Sequence, residues 1–325
     1  MKRLLILPLL FGMLTAQEED ALKEGHSHNG HAFNEGPRQA GPLMGNTGNV
    51  HLPITTTWDQ GQAFFNQGLG QLHGFWYYEA ERSFRAILAH DPNCAMAYWG
   101  LSQANIENAK RAKEFIAKGA EALTKSEPTA QEKAYLQTEI NYYDEKKEKD
   151  QTKRCKNLLK EFEDLVLAYP DDLEAKALLV CRHWQFSRKG VPISSYVGLD
   201  AVLEQIFAKN PDHPAHHYAI HLWDNRKHEQ ALDSAARLGQ TAPGIAHMWH
   251  MPGHIYSKAK RYHDAIWQQQ ASARVDHAHM QKNFLLPDQI HNYAHNNEWL
   301  SRNFVNLGMA TASVEMAKSL LANPR

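Results

Sequence analysis

The residues of this sequence with the most chemistry in them are histidines repeated at helical spacing. His217 and His221 stand four apart, as do His250 and His254, and His291 and His295, while His247 precedes His250 by three. On an α-helix each such pair shares a face. Two imidazoles one turn apart can bring their nitrogens to one divalent ion. Thirteen of the 20 histidines fall between His213 and His295, so the spacing recurs within one region. His217, His221, His247, His250, His254, His291 and His295 are therefore the candidate metal ligands. An all-imidazole set suits copper or zinc better than magnesium or calcium. Glu298 and Asp276 lie close enough in sequence to serve as acid, base or extra ligand. The competing reading is structural. A buried imidazole can simply hydrogen-bond and fix helix packing, with Tyr218, Tyr256, Asp224, Asn292, Asn296 and Asn297 as available partners.

Other chemistry is sparse. His26, His28 and His31 form HSHNGH, which is either a weak site for copper, nickel or zinc or a solvated linker. His51, His73, His90, His183 and His263 are isolated in sequence and carry little weight. His228-Glu229 begins like a zinc-protease motif, but Leu232 stands where the second histidine is needed. Phosphate-cradling, nucleophile-elbow and haem-attachment motifs are absent, so the residues favour binding over catalysis. Cys94, Cys155 and Cys181 are an odd number with no CxxC, and buried free thiols are preferred over one disulfide plus a leftover.

Helices must position these residues. From Trp58 onward the apolar residues follow a period of 3.6, and no strand-like alternation survives. Prolines 92, 170, 211, 243 and 324 share a pattern on their N-terminal side. Twelve residues before them stand Ala80, Leu158, Leu199, Ala231 and Ala312, and eight before stand Phe84, Phe162, Leu203, Ala235 and Met316. Five before stand Ile87, Leu165, Ile206 and Leu238, with Ser319 the exception. These offsets make one helical stripe, and the proline marks where each helix stops. The charged run from Asp144 to Lys156 is a solvated helix face or loop.

Phe64, Gly68, Ala80, Phe84 and Pro92 match the spacing of a tetratricopeptide (TPR) unit, although Gln67 and Gln71 replace its apolar residues. Trp249, Gly253, Tyr256 and Ala265 match its first part again, although Pro252 departs from it. A small residue on each helix lets a pair approach closely. The expected fold is all-α: a right-handed solenoid of about six to eight TPR-type helix hairpins. The expected divisions are residues 1–16, an irregular segment 17–57 and a repeat domain 58–325. Together with HPAHHYAIH, APGIAHMWHMPGHIYSKAKRYHDAI and IHNYAHNNEWL, these features resemble a family of exported bacterial TPR proteins. That family is found in planctomycetes and related bacteria and has no assigned biochemical function. The resemblance implies the TPR fold and a concave groove lined by first helices, which would bring distant imidazoles to one wall.

Lys2 and Arg3, the apolar run Leu4–Leu14 and the small Thr15-Ala16 read as a signal peptide cleaved after Ala16, so the chain is expected outside the cytoplasm. A net charge of −1 argues against nucleic acid as a partner, and nothing after the signal is apolar enough to span a membrane. Two functions follow as expectations. The first is a binding or scaffold protein that holds a peptide, a protein or a small ligand in a histidine-lined groove, with Tyr218, Trp249, Tyr256 and Asn292 among its lining residues. The alternative is a copper or zinc metalloprotein, conceivably an enzyme, that uses the groove histidines.

Overall fold

Four of the helices end two residues before a proline, and the stripe that precedes each of those prolines is buried, whereas Ala312 and Met316 of the fifth stripe are half-buried and Ser319 is exposed. A computed structural model describes residues 40–323. Within them the chain forms fourteen α-helices and two short 3₁₀ segments, with no strand among the described residues. They run α1 (Gly61–His73), α2 (Tyr77–His90), α3 (Ala95–Ala104), α4 (Ala109–Ala122), α5 (Ala130–Tyr143), α6 (Gln151–Ala168) and α7 (Leu173–Ser187). There follow α8 (Tyr196–Lys209), α9 (His216–Trp223), α10 (Leu232–Thr241), α11 (Ala246–Lys258), α12 (Tyr262–Asn283), α13 (His291–Asn306) and α14 (Ala310–Ala322). Pro92, Pro170, Pro211 and Pro243 each stand two residues past a helix end. Pro324, the N-terminal signal and the HSHNGH tract lie outside the described residues.

The stripe residues Ala80, Phe84, Ile87, Leu158, Phe162, Leu165, Leu199, Leu203, Ile206, Ala231, Ala235 and Leu238 are all buried. They divide between two large apolar cores. One is built on Phe84, Trp99, Tyr135 and Phe162, and the other on Leu203, Tyr218, Leu238 and Met248. A third, small cluster of Ile266, Leu300 and Phe304 holds the C-terminal helices. Each helix packs on its successor, and alternate helices such as α1 with α3, α9 with α11 and α11 with α13 also touch. The close approach depends on glycine. A Cβ on Gly68 would lie 2.6 Å from the Phe84 ring, and one on Gly100 would lie 2.5 Å from the same ring. Phe84 of α2 is thus wedged between α1 and α3.

Polar side chains set the helix starts. Thr129 and Glu132 form a reciprocal capping box on α5, while Asp150 and Asp172 cap α6 and α7. Asp144 to Asp150 is an exposed turn before α6, as its charge suggested. Arg182 of α7 lies buried 2.8 Å from Glu139 of α5 and bonds Gln103 of α3, which ties three helices by charge. The three cysteines are buried and unpaired.

Residues 40–57 have no helix, yet they are fastened along their length. Gln67 donates to the Pro42 carbonyl at 2.9 Å and accepts from the Gly45 N–H at 3.2 Å. Gly244 N–H donates to the Asn46 carbonyl at 2.8 Å, His51 N–H to Glu174 at 3.2 Å, and Thr57 N–H to Asp91 at 2.8 Å. This strap crosses the helix ends from α10 back to α2. No described helix is long and apolar enough to cross a membrane.

Candidate metal centre

Three short-spaced sequence segments on α9, α11 and α13 supply the site. His217 and His221 share one face of α9, and His247, His250 and His254 form a single stripe on α11 at spacings of three and four. His295 faces them from α13. Their ring nitrogens gather into two groups, His217 with His221 and His247, and His250 with His254 and His295. Within each group the ligand atoms lie within 4.8 Å of one another. Nε2 of His221 is 3.0 Å from Nε2 of His217, and Nε2 of His254 is 2.7 Å from Nε2 of His250. Nitrogens at about 2.0–2.1 Å from a tetrahedral ion stand about 3.3 Å apart, so each pair opens by only tenths of an ångström to admit one.

The outer ring nitrogens fix which inner ones can donate a lone pair. His217 Nδ1 is 2.6 Å from the carbonyl oxygen of His73, which can only accept, so the proton is on Nδ1 and the lone pair on Nε2. His250 Nδ1 lies 2.7 Å from Gln269 Oε1 and 3.0 Å from Asn296 Oδ1. Those amides are oriented in turn, because Asn296 Nδ2 donates to the Gln269 carbonyl at 2.8 Å. His247 Nδ1 lies 3.2 Å from Asn292 Oδ1, and Asn292 Nδ2 donates to Asp276 at 2.6 Å. His247 Nε2 is buried with no hydrogen-bond partner. Ligating histidines are typically held in this way, with Nδ1–H spent on an oriented acceptor and Nε2 left for the metal.

Burial, reinforced by neighbouring imidazoles, keeps these rings uncharged. It lowers His217 to about 4, His250 to about 3 and His254 to about 2, and it holds His221 and His247 well below the ordinary 6.5. At neutral pH the rings are therefore uncharged. With their Nδ1 protons spent on oxygen acceptors, His217 and His250 accept at Nε2 from the Nε2–H of His221 and His254, and those two protons would shift to Nδ1 for an ion to enter. Asp276 is pushed the other way by burial, up to about 7.

An aromatic shell covers the ring faces. Trp184 lies 4.1 Å from His221, Phe75 lies 4.4 Å from His217, and Trp299 lies 4.1 Å from His254. Phe75 reaches its place from a left-handed backbone, φ 54°, which costs a non-glycine residue roughly 1–2 kcal/mol. Arg188 stacks over Trp184 at 4.3 Å, and Arg302, itself paired with Glu298, lies over Trp299 at 5.2 Å.

A third group is built differently. Glu174 is buried, with His73 Nε2 at 2.6 Å, His213 Nε2 at 3.3 Å and the His51 N–H at 3.2 Å. Burial raises its carboxyl, but the partnering His213 and His73 outweigh that and hold it well below the usual carboxylate range. His73 Nδ1 lies 2.8 Å from Tyr218 Oη, and His213 Nδ1 accepts from Ala215 N–H at 3.0 Å. Each ring nitrogen here has a protein partner, so the group works as an anchor. It reaches the histidine cluster through the His73 carbonyl that orients His217.

The structure thus brings together His217, His221, His247, His250, His254 and His295. The side chain of His291 lies outside the described residues. Of the proposed lining residues, Asn292 orients His247, while Tyr218 lies behind the site against His73. Trp249 packs over Gly239 and against Trp267, and Tyr256 lies under Arg261, so neither joins the histidines. Glu298 pairs with Arg302 instead of a histidine. Sequence reasoning set His73 aside as isolated and passed over Glu174, Phe75 and Trp184, because each is separated from the ligand segments by a long stretch of chain; Trp299 stands only one turn past His295, but an aromatic ring there carries no ligand signal of its own. No family model matches the chain, and no curated protein is similar to it.

Proposed function

We propose that this protein is an exported metalloprotein that holds copper or zinc on two tri-histidine groups, one formed by His217, His221 and His247 and the other by His250, His254 and His295. The observation that carries this reading is the orientation of the rings. Two triplets converge their nitrogens within 4.8 Å, and three of the six rings have Nδ1 on an oxygen acceptor and Nε2 turned inward. A merely structural histidine has no need to leave a buried nitrogen without a partner, as His247 does. The aromatic cover supplies a low-dielectric shell around neutral donors. The glycine-to-Phe84 contacts and the buried proline-anchored stripe support reading the scaffold as a TPR-type solenoid. Export rests on the N-terminal sequence alone.

Metal analysis of tag-free protein, dialysed after exposure to copper or zinc, tests the reading. Two ions per chain are expected, falling to one when His250 and His254 are both changed to Ala. Protein of native helicity that retains neither metal removes it.

A further inference from the structure

The two triplets are not separate sites that happen to share a molecule. His247 belongs to one and His250 to the other, yet they are one turn apart on α11 with ring centroids 5.6 Å apart and planes 27° from parallel. His254 and His295 of the second group act electrostatically on His247 of the first. Donors one turn apart on one helix would place two ions close enough for one small ligand to touch both.

Charge then decides what they hold. All six donors are imidazoles, five of them kept neutral by burial, and no carboxylate lies among the ligand atoms. Asp276 is held one residue away from His247 through Asn292. Of the nearby cations, Lys258 is paired with Asp224 and Arg302 with Glu298, so Arg188, which acts on His221, adds the positive charge that the surroundings carry. Coulomb repulsion scales with the product of the charges, so two divalent ions here repel roughly four times as strongly as two monovalent ones. A ligand set without negative charge therefore favours copper(I) over zinc(II), and it accommodates a divalent pair only with an anion between them.

Resting on the metal-binding reading above, we infer that the two triplets form one dinuclear copper(I) centre that binds dioxygen reversibly between its ions. Each copper(I) gives up one electron and becomes copper(II). Dioxygen accepts both electrons and becomes a bridging peroxide dianion, with its O–O bond retained. No proton or further reductant is consumed, and the charge of the metal–ligand unit is the same before and after. Reversal returns the electron pair to the metals and releases dioxygen. The half-buried faces of His221, His247 and His254 and the exposed His295 leave an approach for a small molecule, while Phe75, Trp184 and Trp299 keep the ring faces dry.

Tag-free protein would be loaded anaerobically with copper(I), freed of excess and then opened to oxygen. The expected result is two coppers per chain and a near-ultraviolet charge-transfer absorption that appears with oxygen and fades under argon. No copper(II) spin signal should accompany it, because the bridge pairs the two spins. His221→Asn and His295→Asn each leave one triplet whole. Each should retain one copper and lose the oxygen-dependent band, with helicity unchanged by circular dichroism. Copper that is retained but indifferent to oxygen overturns the inference and leaves the metal-binding reading standing. Full isolated copper(II) spin signals, retention of zinc alone, or an oxygen band that survives in the single-copper variants do the same. Retention of no metal overturns both.

Discussion

At the scale of the residue, the site is a set of bases kept neutral by burial. Acid must then act on the metal-free protein with a definite sign. In the unfolded chain these imidazoles protonate near 6.5, whereas in the folded chain His217 waits until about 4 and His250 until about 3. Between those values the unfolded state binds more protons, so stability falls as pH falls. Each of these two rings should contribute on the order of 1–2 kcal/mol of that loss by pH 5. Asp276, raised to about 7, works in the opposite sense, because its folded form takes up a proton first, but it is one group against several. The urea midpoint of metal-free protein should therefore drop between pH 7 and pH 5. A midpoint that rises over that interval would show the histidines to be solvated.

At the scale of the element, α11 does the organising. Its stripe of His247, His250 and His254 serves both triplets, and α9 and α13 supply the remaining donors from either side. That arrangement requires neighbouring helices to approach closely, which the glycines permit. Gly100→Ala places a Cβ against the ring of Phe84, buried between α1 and α3, with no flexible end to give way. Overpacking of this kind costs about 1–3 kcal/mol. Denaturant unfolding should record that loss while metal stoichiometry stays unchanged, because Phe84 belongs to the other core. An equally stable Gly100→Ala protein would mean that the helices are less tightly apposed than described.

At the scale of the whole molecule, the C-terminal helices are the least anchored part. Their cluster is only Ile266, Leu300 and Phe304, and Val305, Val314 and Leu321 face solvent. Few buried apolar contacts mean low local stability and fast amide exchange. Among the described side chains, His295 is the donor that α13 brings to the two triplets, so an ion bound there would staple α13 to α11. Amide exchange of α13 should slow on metal loading, while α2 and α3, buried in the first core, should change little. Equal slowing everywhere would point instead to a general rise in stability.

The amino-acid order alone determined the helices, the residues that face their cores and the histidine faces, because a 3.6-residue period and a proline stop are local properties. It also carried the pairs His217–His221 and His250–His254, since four residues make one turn. Tertiary structure decided which pairs meet, because α9, α11 and α13 converge only through packing. It decided too that His247 leaves His250 and His254 to join the α9 pair, although all three share one stripe. The anchors were likewise beyond the reach of spacing: Glu174 lies 101 residues from His73, and a hydrogen bond across that separation exists only once the chain has folded.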